Sequence, residues 1–175
     1  MDRVEQLMKA WQVELPDVLH PTTELAKRLM TLNGELTEST RQLLPELGLT
    51  TAEFDVLVTL RRSGPPFQLK PSELSRGLLL STGGTSNLTN QLANRGLVVR
   101  EADPDDGRGT QIRLTDEGVA LAEKAVRAAS AAHADHLADV PPELVEQATR
   151  ALREISRLTA ARGTTPGRAR RTPVS

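Results

Sequence analysis

The residues best placed to do chemistry lie on one helix in the middle of the chain. The pattern predicts that this helix starts at Ser81 and stops at Gly96, a common residue at helix C-termini. At ~100° per residue, Thr85, Leu88 and Leu92 fall near one side. The opposite side carries small or hydrogen-bonding residues: Thr82, Gly83, Ser86, Asn87 and Asn90. Such groups suit base edges and phosphates, so this side predicts a nucleic-acid reading face; the alternative is a solvated polar face without a partner.

A predicted β-hairpin follows this helix, and its tip carries an acid and an arginine. The β-type runs 97–100 and 110–114 are joined by a segment containing Asp106-Gly107-Arg108, and Asp-Gly signals a hairpin. Asp106 can hold the guanidinium of Arg108 outward, and an arginine gains from the concentrated negative potential of a narrow minor groove. The alternative interpretation is an ordinary surface turn.

The middle of the chain is basic, although the whole chain has a net charge of −1. Residues 61–113 carry eight Lys and Arg against five Asp and Glu, whereas 1–60 and 114–161 are acidic. This asymmetry is typical of a surface for a polyanion. Because the reading face has no lysine or arginine except Arg95 near its end, we expect phosphate charge to be met by Lys70, Arg76, Arg100, Arg108 and Arg113.

The composition excludes several other classes of protein. Cysteine is absent, which rules out disulfides, thiol nucleophiles and Cys-ligated zinc. We find no apolar run of about 20 residues for a membrane span and no secretion signal, so we expect a cytoplasmic protein. His133 and His136 are three apart on one predicted helix, but only Asp135 and Asp139 lie nearby. We therefore expect surface or interface histidines, no metal, no cofactor, no catalytic residue and no enzyme activity.

The N-terminal elements that must position these residues are predicted to be helical. Apolar periodicity indicates a short helix at ~2–12 and a longer one from Thr22 that ends by Pro45. Thr50 and Glu53 form a capping-box pattern at the start of the next helix. The first helices would therefore lead directly into the nucleic-acid-reading part of the chain.

The remaining elements complete a recognisable arrangement. Pro71 opens a short helix just before the reading helix, and long helices are predicted at ~116–138 and ~142–161 after the hairpin. Residues 162–175 carry four arginines and no acids, and we expect a disordered basic tail. The predicted fold is mainly α with a small β-hairpin wing, because two helices followed by a hairpin form a winged helix-turn-helix lobe.

The chain resembles the MarR family of transcriptional regulators. The resemblance covers residues ~22–160 and rests on segments 49–57, 71–75, 85–88 and 96–98. It rests also on the wing, where five residues match the family's D-x-R…L-T-x-x-G signature: Asp106, Arg108, Leu114, Thr115 and Gly118. It implies a homodimer in which 1–48 and 116–161 form a helical dimerisation lobe and 49–115 forms the winged DNA-binding lobe. It also implies a repressor released by a small, often anionic aromatic ligand.

A finer resemblance concerns the N-terminal helix. A Trp on an additional helix, the E-F-D-V-L run and the Gly-Pro-Pro break are similar to the PecS and urate-responsive subgroup of this family. Its ligand residues would correspond to Trp11, Asp55 and Arg100, while Leu88 stands where that subgroup has an arginine. Since Leu88 cannot supply a bidentate cationic partner, we expect an effector other than urate.

These observations predict a ligand-responsive DNA-binding regulator whose partners are double-stranded DNA, a second copy and a small effector, with no membrane. The alternative is a dimeric winged-helix module for protein interaction or small-molecule carriage without DNA binding. The predicted DNA-binding residues are Lys70, Ser72, Arg76, Ser81, Thr82, Gly83, Ser86, Asn87, Asn90, Arg95, Asp106, Arg108 and Arg113.

Overall fold

The computed structural model describes residues 1–78, 81–103 and 106–163, and for residues 82, 103, 106–108 and 161–163 it describes the backbone alone. Two compact units are present, Met1–His136 and a second unit that begins at Leu137. The helices described in the first unit are α1 (Arg3–Glu14), α2 (Thr23–Leu43), α3 (Thr51–Arg62), α4 (Pro71–Leu78), α5 (Thr82–Asn94) and α6 (Asp116–His136). The strands are β1 (Gln68–Leu69), β2 (Val98–Asp103) and β3 (Asp106–Leu114).

Local hydrogen bonds at helix ends explain where the helices begin and end. The predicted capping box of α3 is confirmed: Thr50 Oγ1 accepts from the Glu53 N–H at 3.2 Å, and the Glu53 carboxylate accepts from the Thr50 N–H at 2.8 Å. Asp2 and Glu5 make the same reciprocal pair at the start of α1. Before α3, the 3-10 turn Leu44–Leu47 stops at Gly48, whose φ of +63° favours glycine.

The three strands form one antiparallel sheet in the order β1-β3-β2. Val98 faces Leu114 and Ala102 faces Thr110, so the hairpin pairs along most of its length. Pairing extends to Asp103 and Asp106, so the strands are longer than the predicted runs 97–100 and 110–114. The sequence prediction also missed β1, whose Gln68 and Leu69 pair with Arg113 and Ile112.

The core lies where the hairpin base, α3, α4, α5 and α6 meet. Its fully buried large side chains include Val56, Leu57, Leu60, Leu74, Leu92, Val98, Ile112 and Leu114. Gly118 lies in the first turn of α6, where any Cβ would overlap the carbonyl oxygen of Leu97. The helix therefore rests directly on the start of the hairpin, and glycine is required at this position.

The second unit contains α7 (Pro142–Gly163). It extends two residues into the predicted tail, and 164–175 lie outside the described residues. Large apolar side chains on α7 are exposed: Leu144, Val145, Ile155 and Leu158. The fold is mainly α with a small antiparallel wing, as predicted from the sequence.

Candidate nucleic-acid interface

Helices α4 and α5 are joined by a buried polar contact as well as by apolar packing. Leu74 of α4 and Leu92 of α5 are fully buried. The Ser75 hydroxyl donates to Thr85 Oγ1 at 2.9 Å, and both residues are buried. Because a buried hydroxyl needs a partner of defined geometry, this contact fixes the rotation of α5 about its axis.

The rotation of α5 leaves its polar side exposed. Ser81 caps the helix, since its Oγ accepts from the Gly84 N–H at 3.1 Å. Thr85, Thr89 and Leu92 are buried, and Leu88 is partly buried against the core. The exposed residues include Gly83, Ser86, Asn87 and Asn90, which were predicted to face outward. For Thr82 the side chain lies outside the described residues.

Arg100 brings a cation to α5 from the neighbouring strand. Its Nη2 donates to Thr89 Oγ1 at 2.8 Å and lies 3.4 Å from both the carbonyl oxygen and Oγ of Ser86. Because α5 has no exposed lysine or arginine before its C-cap, Arg100 supplies positive charge beside its polar face. The contact joins β2 to α5 across 11 residues of sequence, and no local sequence signal indicates it.

Arg95, at the C-cap of α5, has protein partners. Its Nη1 donates to Glu53 Oε1 at 2.6 Å, and its Nη2 donates to the Gly48 carbonyl at 2.8 Å. Burial raises the pKa of Glu53, but hydrogen bonds from Thr50 and Arg95 outweigh it and hold that pKa below its usual range. We call these contacts the Glu53–Arg95 clasp. They connect the end of α5 to the start of α3.

Arg113, another predicted DNA contact, also has protein partners. Its Nε and Nη2 donate to the two carboxylate oxygens of Glu101 at 3.0 and 2.6 Å, and Nη1 donates to the Leu114 carbonyl. This fork-like pairing lowers the pKa of Glu101. The guanidinium of Arg113 thus braces β3 against β2.

The other predicted DNA contacts lie on α4 and at the hairpin tip. Ser72 and Arg76 are exposed on α4. Lys70 precedes α4, and its backbone N–H donates to the Glu73 carboxylate at 2.9 Å. Asp106 and Arg108 belong to β3, but their side chains lie outside the described residues.

The three predicted ligand residues stand on three different elements. Trp11 is 41% exposed on α1, Asp55 is exposed on α3, and Arg100 lies against α5. Partial desolvation raises the pKa of the Asp55 carboxyl, and the charge of Arg62 offsets part of that rise. Among the described residues, no hydrogen bond or ion pair joins Trp11, Asp55 and Arg100 to one another.

The two histidines of α6 contact α2. His133 Nε2 lies 2.9 Å from Thr40 Oγ1 and 3.1 Å from the Leu36 carbonyl. Because a carbonyl oxygen can only accept, His133 carries its proton on Nε2 in this contact. His136 Nε2 lies 3.3 Å from Glu35 Oε2. Within the described ranges no group of three or more His, Cys, Asp and Glu could hold a metal ion.

The arrangement of α4, α5 and the hairpin defines the class of protein. Helices α4 and α5, with the polar side of α5 exposed and the β2–β3 hairpin following, form a winged helix-turn-helix. The model of the MarR family matches residues 47–109. The chain is similar to the MarR family of transcriptional regulators, as predicted from the sequence. The homologues and the fold are those of regulators, which are not enzymes.

Individual relatives extend the similarity beyond the matched segment. The HTH-type transcriptional regulator PecS from Dickeya dadantii is 28% identical over 123 residues, which cover 70% of this chain and 74% of PecS. A MarR family protein from Bacillus stearothermophilus shares 25% identity at a TM-score of 0.70, covering 79% of this chain and 95% of that protein.

A third relative was solved with a ligand. CouR from Rhodococcus jostii RHA1, bound to p-coumaroyl-CoA, shares 26% identity at a TM-score of 0.63 and covers 77% of this chain and 92% of CouR. None of the described helices of the present chain is both long and apolar enough to cross a membrane.

Proposed function

We propose that this chain is a repressor that binds a palindromic operator as a homodimer and is released by a small anionic or aromatic effector. The exposed polar side of α5 carries the proposal. Ser86, Asn87 and Asn90 are exposed there, while Thr85 and Leu92 anchor the opposite side. Amides and hydroxyls can both donate and accept, which suits the differing base edges of the major groove.

In this proposal the cations around α5, together with the Ser72 hydroxyl, contact the phosphates. Lys70, Ser72 and Arg76 flank the N-terminal side of α5 along the chain, and Arg108 extends the interface through the hairpin. Phosphate contacts set position and affinity, whereas base contacts set sequence preference. Arg95 and Arg113 remain in the proposed set, but their protein partners indicate that they also hold α5 and β3 in place.

The proposed dimerisation lobe comprises 1–48 and 116–161, with 49–115 as the DNA-binding lobe. Large apolar side chains are exposed on α1, α2 and α7, which supports burial against a second copy: Leu7, Trp11, Leu25, Leu29, Met30, Leu32, Leu144, Val145, Ile155 and Leu158. A two-fold dimer would present its two reading helices to half-sites about 34 Å apart.

Effector release follows if a ligand prefers one spacing of the two reading helices. The shift is limited by the ligand's difference in affinity for the two states. CouR bound to p-coumaroyl-CoA supports a small-molecule role in this family. Trp11, Asp55 and Arg100 are the proposed ligand contacts.

The test is fluorescence anisotropy of the full chain on the DNA upstream of its own gene and on random duplex, across a series of salt concentrations. Asn87→Ala should reduce the difference between the two DNAs more than the overall affinity. Arg108→Ala should weaken both and reduce the salt slope by about one unit. Arg41→Ala, on α2 outside the DNA-binding lobe, is the matched control and should leave both quantities unchanged. An Arg108→Ala variant with unchanged slope and affinity would remove the hairpin from the interface.

One observation favours a second candidate, a winged-helix module for protein interaction or small-molecule carriage. The described side chains on the exposed side of α5 include no lysine or arginine. The same titration separates the two functions, because such a module would bind neither duplex in a salt-dependent way.

A further inference from the structure

The C-terminal end of the chain concentrates positive charge. Residues 147–175 carry seven arginines and one acidic side chain, Glu154, whereas residues 1–146 carry 15 Lys and Arg against 22 Asp and Glu. A chain with a net charge of −1 therefore carries a side-chain charge of +6 in its last 29 residues. This excess is larger than that of residues 61–113, which contain the winged helix-turn-helix. Such an excess indicates a surface for a polyanion.

Three of these arginines form a stripe on α7. At ~100° per residue, Arg150, Arg153 and Arg157 lie within about 60° of one another, and all three are exposed. Arg157 pairs with Glu154 at 2.7 Å, and its side chain is 69% exposed. Within the described part of the chain, Arg150 and Arg153 make no hydrogen bond or ion pair. Their guanidinium groups are therefore accessible to an external anion.

The electrostatics of the helix itself do not account for this arginine stripe. Cations stabilise a helix mainly within its last turn, where they meet the partial negative charge of the C-terminus. Helix α7 ends at Gly163, so Arg150 and Arg153 lie more than two turns before that end. A partner outside the helix would explain them better than the helix dipole does.

The apolar face of α7 lies on the side opposite the arginine stripe. At ~100° per residue, Leu144, Leu152 and Ile155 are centred on that side. Burial of this face against a second copy, as proposed above, would leave the arginine stripe exposed. A helix lying in a membrane surface would bury the same apolar face in lipid and point the arginines away from the headgroups. The arrangement therefore favours a polyanion in water over a membrane.

Duplex DNA fits both the charge and the composition of this region. Residues 147–175 contain no aromatic side chain on which the bases of a single strand could stack. Guanidinium groups pair with phosphates through two parallel hydrogen bonds. The arginine stripe extends about 10 Å along α7, and a duplex presents about six phosphates over that length, enough for every arginine. After α7, the sequence adds three more arginines: Arg168, Arg170 and Arg171.

We propose that the arginine stripe and the arginines after Gly163 form a second, sequence-independent contact with the phosphates of duplex DNA. The inference rests on the DNA-binding part of the proposed function and adds a surface outside the winged helix-turn-helix. Because phosphate contacts carry no sequence information, this surface raises affinity for operator and random duplex alike.

The test is fluorescence anisotropy of the full chain on random duplex and on the DNA upstream of its own gene, across a series of salt concentrations. The double variant Arg150→Gln/Arg153→Gln should reduce the salt slope on both duplexes by about two units, and should weaken binding to random duplex about tenfold or more at low salt. The matched control is Arg3→Gln/Arg41→Gln, which removes the same charge from exposed positions on α1 and α2 and should leave the slope unchanged.

A triple variant tests the arginines that follow α7. Replacement of Arg168, Arg170 and Arg171 by Gln should reduce the salt slope by about three units. These positions lie outside the described helices, so this variant still decides the matter if circular dichroism shows that the double variant is unfolded. In both variants the ratio of operator affinity to random-duplex affinity should stay the same.

The outcomes separate this proposal from its rivals. An unchanged salt slope in either folded variant, or an equal loss in the control, would overturn it. So would tighter binding to phosphatidylserine vesicles than to duplex at equal phosphate concentration, if the double variant lost that binding. A wild-type chain without operator preference would contradict the proposed function instead, because the slopes on random duplex would still test the arginines of α7 and of the residues after it.

Discussion

Removal of the Arg95 guanidinium should show how strongly the end of the reading helix is held. The Arg95→Ala variant loses the 2.6 Å contact to Glu53 and the 2.8 Å contact to the Gly48 carbonyl. Glu53 is nearly buried, with 8% of its side chain exposed, whereas the Arg95 side chain is 38% exposed. Solvent screening of the guanidinium therefore reduces the energy of the pair well below that of a fully buried one.

The expected magnitude follows from this partial burial. Hydrogen bonds to charged groups contribute about 1.5–3 kcal/mol, and screening places Arg95→Ala near the lower end, at about 1–2 kcal/mol of lost stability. Glu53→Ala should cost more, about 2–3 kcal/mol, because it also removes the two hydrogen bonds that the Glu53 carboxylate accepts from the N–H and hydroxyl of Thr50. The double variant should reveal a coupling energy of about 1 kcal/mol between the two residues.

The assay is urea unfolding of the four proteins at one protomer concentration, since association would otherwise alter apparent stability. At neutral pH the Arg95→Ala loss corresponds to a decrease in Tm of roughly 2–8 °C for a chain of this size. Arg153→Ala, which removes an exposed arginine of α7, serves as the control for loss of one charge.

The pH dependence gives an independent check of the same pair. The pKa of Glu53 is lowered in the folded protein, so its contribution is present above the ordinary pKa of about 4.3 and is lost as pH falls through the lower folded value. The stability difference between wild type and Arg95→Ala should therefore shrink as pH falls below about 4.3. A coupling energy near zero, or a difference that stays constant to pH 3, would refute this account of the Glu53–Arg95 clasp.

Three further perturbations test other contacts. Gly118→Ala should destabilise the protein by about 3 kcal/mol in urea unfolding, because its Cβ would overlap the Leu97 carbonyl. Gly34→Ala is the control, because a Cβ added at this position within α2 meets no neighbouring atom; the change should stabilise the protein by about 0.5–1 kcal/mol. A similar loss of stability in both variants would contradict the close approach of α6 and Leu97. Ser75→Ala should cost about 1 kcal/mol by removing the hydroxyl that donates to Thr85, and unchanged stability would show that this contact does not hold α4 to α5. Arg100→Ala should reduce the salt slope of operator binding by about one unit in anisotropy titrations, and an unchanged slope would exclude Arg100 from phosphate contact.

Local patterns predicted the helices and the hairpin because the signals lie within a few residues of each other. Thr50 and Glu53 are three residues apart and form the cap that their types predict. Ser81 caps α5, and the alternation of buried and exposed residues on that helix follows its 3.6-residue period. Strand β1 escaped prediction because two residues cannot establish a period, and its pairing partners lie on β3.

The contacts that organise the candidate interface could not be predicted in the same way. Arg95 and Glu53 are 42 residues apart, and Arg100 meets Thr89 only because β2 runs beside α5. Residue type alone indicated that Arg95 and Arg113 were cations available to phosphate. The acids that engage them, Glu53 and Glu101, become neighbours only through tertiary packing.

The placement of Arg100 on β2, beside a reading helix with a neutral exposed side, has a consequence for redesign. Affinity for DNA would depend mainly on side chains outside α5, whereas sequence preference would depend on Ser86, Asn87 and Asn90. Exchanging those three side chains should therefore retarget the protein to new operators while its response to ionic strength stays the same. After a gene duplication, one copy could acquire a new operator through changes on α5 alone, because the residues that contact phosphate would not need to change with it.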